Sequence, residues 1–507
     1  MLYAKTRSCA LGMAGRLGLL LVVVALLAPR SGWGGPDDTI APPEALSEIR
    51  DELSALVADD EVPSAAVGVA HEGDILWQEA FGWADRDERR PATPHTPYSI
   101  ASVTKPMTAT AIMRLAENGD LDLNAPVDRY LHDTALVERA GSADDATVRR
   151  VLDHTSGLPT HYQFFYDDES HSRPPMEESI RRYGVLTFPP GVRHQYSNIG
   201  YGVLDQVIRT VADTTYAAFM HDEVFAPLGM EQSTVGLSDR LNADWANRYD
   251  ANGEPLPFYD FDHRGGSAVF SSVHDLLRFG MLHVGTLRDD QQAILSDDAL
   301  SAMRERSATT GENAGYGLGW SIRTHEQGAR EVYHSGSMGG VRTLLLTVPD
   351  EELIVTLLLN GENGSLLNMV REIAHTLLPN DLDTPGQSPP ERPASQSAPI
   401  GGTWEGRVVT HADQKDVTMH VDDEEMTIRL GEQSTAPVHN VHIDEEGFVH
   451  GIVARTIDTD DTNRHPHLLR LLLKPDGDRL YGAVTAISQG SSRPGYALSS
   501  YLELERE

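Results

Sequence analysis

Ser102-Val103-Thr104-Lys105-Pro106 sets a hydroxyl and an amine three residues apart, and the rest of the chain is read outward from it. At helical spacing the two side chains project from one face within mutual reach. Pro106 fits only in a first helical turn, so a helix is expected to begin near Ser102, to run through the apolar positions Ile112, Met113 and Leu115, and to stop at Gly119. Ser102 then stands at a helix N-terminus, where backbone N–H groups favour developing negative charge. A serine hydroxyl is a poor nucleophile until something accepts its proton, and a desolvated lysine with a lowered pKa can do so.

Such a tetrapeptide is also a common surface helix start, and lysine usage separates the two readings. The chain contains Lys5, Lys105, Lys415 and Lys474 and otherwise uses arginine. Lys105 is therefore the only lysine between positions 6 and 414, in a role that arginine, always protonated, cannot fill.

On either side of this segment lie strand signals. Ala65 to Trp83 has apolar runs flanking His71-Glu72-Gly73-Asp74, and Val341 to Val348 and Leu353 to Leu359 are joined by Pro349-Asp350-Glu351-Glu352, so two hairpins are expected. A helical stretch, Leu366 to Leu378, follows the second. Strands at both ends with helices between them imply an α/β (α+β) fold, an antiparallel sheet whose terminal strands pair, flanked by helices with a helical subdomain. The Pro/Ser-rich segment 384–402 reads as a linker closing a domain of residues 36–383. Beyond it, 403–507 alternates in short segments such as Val417 to Val421, Met426 to Leu430, Leu468 to Leu473 and Arg479 to Val484, which implies a small all-β, barrel-like domain.

Two further motifs carry chemistry. Tyr196-Ser197-Asn198 precedes an apolar helical stretch, and His334-Ser335-Gly336-Ser337 precedes the first strand of the second hairpin, where the glycine would let substrate backbone approach a sheet edge. Either alone reads as a helix cap or an ordinary surface histidine. In this order the three motifs resemble the active-site set of penicillin-recognising serine enzymes, over roughly Pro43 to Leu378. The tyrosine version resembles the class C β-lactamase, D,D-peptidase and esterase branch, as do His154-Thr155-Ser156-Gly157-Leu158-Pro159, Pro227-Leu228-Gly229-Met230 and Gly265-Gly266-Ser267 before Asp275-Leu276.

The resemblance implies that Ser102 attacks, that Lys105 and Tyr196 share proton transfer, and that Asn198 hydrogen-bonds a substrate amide. It implies an oxyanion hole from the backbone N–H groups of Ser102 and Ser337, with His334, Ser335 and Gly336 completing the substrate wall. His334 stands where many such enzymes have lysine, and an imidazole is only partly charged near neutral pH. That departure favours a D-amino-acid peptidase or an esterase over a dedicated β-lactamase. Proteins of this kind with an appended β domain include D-aminopeptidase-like members. A catalytically silent peptide-binding or sensor protein on the same scaffold, and an acyltransferase, are the alternatives.

Composition sets the remaining bounds. A net charge of −35 makes nucleic acid an improbable partner, and with so little lysine it suggests a surface adapted to salt. Lys5, Arg7 and Arg16 ahead of an apolar run from Leu17 to Ala28 read as an export signal over residues 1–35, placing the protein in the periplasm or outside the cell, with an uncleaved anchor as the alternative. Cys9 falls within that signal, so the processed chain has no disulfide. The histidine pairs His465/His467 and His439/His442 lack a third ligand, so no metal and no cofactor are expected, and the partner is a small-molecule or peptide substrate.

Overall fold

The computed structural model describes residues 38–238, 244–362, 366–382, 400–422, 425–490 and 493–507. The expected export signal and nearly all of the 384–402 linker lie outside the described residues.

The expected hairpins form. Strands β1 (Ser64–His71) and β2 (Asp74–Asp85) are joined by a two-residue turn in which Glu72 and Gly73 both have positive φ, 52° and 82°, the turn whose twist matches the strands it links. Helix α1 (Ser47–Ala58) precedes them. Strand β5 (Arg330–Met338) leads into the hairpin of β6 (Val341–Val348) and β7 (Leu353–Leu359), and helix α5 (Leu366–Leu377) follows. β1 pairs antiparallel with β7, Val67 opposite Leu357, so the first and last strands of this half close one sheet, as the sequence implies. The sheet runs through three short strands (Ala308–Thr309, Ala314–Tyr316, Ser321–Thr324), then β5, β6, β7, β1 and β2, and ends on Arg90–Pro91.

Period-two alternation loads its two faces. Val67, Val69, Val355 and Leu357 pack with Leu46, Ile49, Leu53 and Ile373, placing α1 and α5 on one side. Ala66, Gly68 and Ala70 turn to the other side, where their small size lets helix α4 (Val273–Val284) lie close, with Leu277 against Gly68. Helix α2 (Thr104–Glu117) is sheathed on every side for most of its length, which is why its exposed residues come only at the C-terminal end. It begins two residues later than Ser102, which lies in a 3₁₀ turn (Ala101–Val103) ahead of it, and Gly119 lies just beyond its end with φ 82°.

The C-terminal region is a closed eight-stranded antiparallel barrel, β8 (Gly402–Val409), β9 (Gln414–Val421), β10 (Met426–Leu430), β11 (Ala436–Ile443), β12 (Val449–Val453), β13 (His467–Asp476), β14 (Arg479–Ser488) and β15 (Tyr496–Arg506), with β8 pairing back onto β15. Closure satisfies both edge strands. The start of β15 also pairs with β3 (Tyr162–Tyr166), which pairs with β4 (Tyr259–Phe261), so the barrel sheet runs on into the first half of the chain. Ion pairs reinforce the join: Arg464 with Glu169 at 3.0 Å, Arg182 with Asp461 at 3.0 Å and Arg493 with Asp168 at 2.7 Å. The first half of the chain and the barrel belong to one compact unit. Among the described residues no helix is long and apolar enough to cross a membrane.

Candidate active site

Ser102 is held by a strained turn. Ala101, buried and without the freedom of glycine, has φ 47°, a left-handed conformation that persists only where the surroundings fix it. The fixing contacts are Ile100 N–H to Val269 O at 3.0 Å and Thr343 Oγ1 donating to Ile100 O at 2.8 Å.

One helical step on, Lys105 is fully buried, and its amine lies 3.1 Å from Ser102 Oγ, 2.7 Å from Asn198 Oδ1 and 2.9 Å from Gly266 O. Burial pulls its pKa well below the ordinary lysine value. The partners suit a neutral amine. Asn198 Oδ1 and Gly266 O can only accept, which uses two N–H donors, and the remaining lone pair faces a hydroxyl that can donate. An amine so placed can accept the proton of the Ser102 hydroxyl.

The Tyr196 ring lies 4.7 Å from the Lys105 amine, and burial raises its phenol pKa, so it holds its proton and can donate. Asn198 begins helix α3 (Asn198–Ala212), which Ser197 caps by accepting from Gly200 N–H. Its Oδ1 is taken by Lys105 and one Nδ2 hydrogen by His161 O at 2.8 Å, leaving one amide hydrogen for a substrate.

A cavity of about 310 Å³ opens over Ser102, with Asn198, His263, Ser337 and Arg342 in its wall and Pro494, from the barrel half of the chain, at its rim. Ser102 and Ser337 both face it, as an oxyanion hole built from their N–H groups requires. The rest of the third motif is placed otherwise. At Gly336 a Cβ would meet Thr343 Oγ1 at 2.2 Å and Ile100 O at 2.4 Å, so the glycine lets β5 press against the turn that carries Ser102. Ser335 is exposed and does not line the cavity.

His334 is buried behind the wall. Its Nδ1–H donates to Ser335 O at 2.8 Å, which fixes the tautomer, and the bare Nε2 accepts from the Tyr316 hydroxyl at 2.9 Å. Burial, with Lys105 nearby, pushes its pKa down to about 3. The partial charge expected of His334 near neutral pH is therefore absent, and both of its nitrogens are occupied.

Sequence reasoning missed Tyr316, His161, Asp262 and His263, each a single residue without a spacing signal. Tyr162 to Asp168 and Phe258 to His263 carry no catalytic motif. The alternating aromatic runs Tyr162/Phe164/Tyr166 and Tyr259/Phe261 were the available sign that both contain strands. His161, Asp262 and His263 bring donor atoms within 4.8 Å of one another. Each carboxylate oxygen of Asp262 already faces an imidazole nitrogen, so hydrogen bonding accounts for the trio.

A family model described as Beta-lactamase matches residues 49–377. The chain belongs to the beta-lactamase family. Its relatives include penicillin-binding protein 4* of Bacillus subtilis, 29% identical over 367 residues that make up 66% of this chain and 75% of that protein. Penicillin-binding protein 4 of Amycolatopsis lactamdurans is 26% identical, over 70% of this chain and 96% of its own. Among solved structures, the octameric penicillin-binding protein homologue from Pyrococcus abyssi superposes with a TM-score of 0.59 at 23% identity, over 90% of this chain and 99% of that one. That span includes the barrel. A class C beta-lactamase gives 0.56 at 19% identity over 66% of this chain and 96% of its own. The beta-lactamase fold read from the three motifs is thus shown, and with it a serine hydrolase architecture.

Proposed function

We propose that this chain is an exported serine hydrolase that cleaves amide or ester substrates, D-amino-acid peptides or related esters, through an acyl-enzyme on Ser102. The supporting observation is the buried Lys105 amine, 3.1 Å from Ser102 Oγ at the floor of a cavity. Lys105 takes the hydroxyl proton as Ser102 attacks the carbonyl, the Ser102 and Ser337 N–H groups receive the developing oxyanion, and Tyr196 passes a proton to the leaving group. Pre-aimed donors of this kind each lower such a barrier by ~3 kcal/mol.

The state of His334 favours a peptidase or esterase over a dedicated β-lactamase, because the third motif offers no fixed cation for a β-lactam carboxylate. Export rests on the basic residues ahead of Leu17 to Ala28.

The test is turnover of nitrocefin, short-chain nitrophenyl esters and D-alanyl peptides by the wild type and by Ser102→Ala. Turnover of an ester or D-alanyl peptide above nitrocefin, abolished by the substitution, supports the reading. Activity that survives the substitution overturns it.

A further inference from the structure

The cavity over Ser102 holds a second polar unit that the acylation chemistry does not use. His263 lines it, and His263 Nδ1 lies 2.9 Å from Asp262 Oδ1, while His161 Nε2 lies 2.8 Å from Asp262 Oδ2. All three side chains are buried to within 1% of complete enclosure. A carboxylate only accepts, so both imidazoles present N–H to it and their tautomers are set. In a neutral His263 ring the lone pair is then on Nε2, which has no hydrogen-bond partner among the described residues.

The position is as telling as the bonding. A Cβ on Gly266 would stand 3.4 Å from His263 Cδ2, the carbon next to Nε2, and 3.4 Å from the Lys105 amine, so imidazole and amine are separated by no more than twice that distance. His161 ties the unit to the nucleophile's frame, since its carbonyl holds the Asn198 amide at 2.8 Å. It does so while its own Nδ1 is buried without a hydrogen-bond partner among the described residues. An imidazole oriented by a carboxylate, with its far nitrogen beside an open cavity, is the arrangement of a general base. Burial brings the ring's proton affinity below the ordinary value; of the groups facing it, Asp262 opposes that shift and His161 and Lys105 add to it, which favours the neutral, accepting form.

Resting on the acyl-serine reading above, we infer that His263, oriented by Asp262, is the base of the second half-reaction, activating the acceptor that releases the acyl group from Ser102. The acceptor is water, or an amine or alcohol in acyl transfer. Its lone pair forms a bond to the acyl carbon, its proton passes to His263 Nε2, and the carbonyl electron pair moves onto oxygen. When that pair returns, the bond from the acyl carbon to Ser102 Oγ breaks. Between the two half-reactions the proton that Lys105 took from Ser102 passes to Tyr196, replacing the one given to the first leaving group; the departing Oγ then takes a proton from Tyr196, and the proton on His263 restores Tyr196 through water in the cavity, so every group ends as it began.

The experiment is pre-steady-state hydrolysis of a short-chain nitrophenyl ester by the wild type, His263→Gln and Asp262→Asn, with the mass of Ser102 followed in parallel. The expected result is a burst of one product equivalent at a rate within about twofold of wild type, steady-state turnover lower by about 10²-fold in His263→Gln, and an acyl adduct that persists on Ser102. Imidazole added to an acylated His263→Ala protein should hasten loss of the adduct. Burst and turnover falling together in both variants would make the unit structural and overturn the inference, as would unchanged turnover. If His263→Gln does not fold, Asp262→Asn and the imidazole experiment decide. A wild type with neither burst nor adduct overturns the acyl-serine reading itself, whereas an intact burst with unchanged turnover in the variants overturns this inference alone.

Discussion

Asp275 offers a perturbation whose size follows from the structure. It lies in the first turn of α4, and its Oδ2 accepts from Gln232 N–H and Ser233 Oγ–H, each at 2.8 Å. A carboxylate at a helix N-terminus is ordinarily stabilised. Here burial wins and raises the pKa from 3.8 to about 7, with the two hydrogen bonds and Arg278 only partly opposing it. Between those values the folded state binds a proton that the unfolded chain does not, so stability is greatest below pH 4 for this group and is lost as pH rises towards 7. A rise of about three pH units at about 1.36 kcal/mol each makes the loss about 4 kcal/mol.

Asp275→Asn keeps an acceptor oxygen for Gln232 and Ser233 and cannot ionise. Urea unfolding of both proteins at pH 5 and pH 8 separates this group from the large acidic background, because only the difference between them is read. The variant should gain on the wild type by ~2–3 kcal/mol between the two pH values. A difference that stays flat, or that moves against the variant as pH rises, would refute burial as the dominant influence on this carboxyl.

Three further outcomes follow from the site. Lys105→Met should lower the rate of Ser102 acylation by about 10³-fold or more, and Lys105→Arg should not restore it, since a guanidinium cannot accept the proton; in the wild type the ascending limb of acylation against pH should lie well below 10.5, because burial favours the neutral amine. Gly336→Ala should slow the burst phase by about 10²-fold, since its Cβ must displace Ile100 O or Thr343 Oγ1 and with them the Ser102 turn, while circular dichroism of the barrel is unchanged. Tyr316→Phe should cost about 1–3 kcal/mol in urea unfolding by leaving the buried His334 Nε2 without its donor, and Ser102 should still be labelled.

What was legible in the sequence depended on range. The hairpins at Glu72-Gly73 and Pro349–Glu351 and the α2 start at Pro106 are local, set by turn chemistry and a fixed ring, and they form within a few residues of where they were read. Ser102 and Lys105 share a helical step, so their meeting was legible too. The pairing of Tyr496 with Gln163 joins segments more than three hundred residues apart, and no local pattern encodes it. The same holds for His334, whose charge state is decided by Tyr316 and the depth of β5, and for Asp262 and His263, whose partner His161 lies a hundred residues upstream. Gly336 was recognised as necessary, but its purpose depended on which backbone would occupy the space it leaves.

The most direct measurement is peptide mapping by mass after incubation with a fluorophosphonate or a reactive β-lactam. Attack by a hydroxyl whose proton Lys105 removes predicts one adduct, on Ser102, in the folded wild type and none in Ser102→Ala. An adduct on another residue, or folded protein that remains unlabelled, would contradict it.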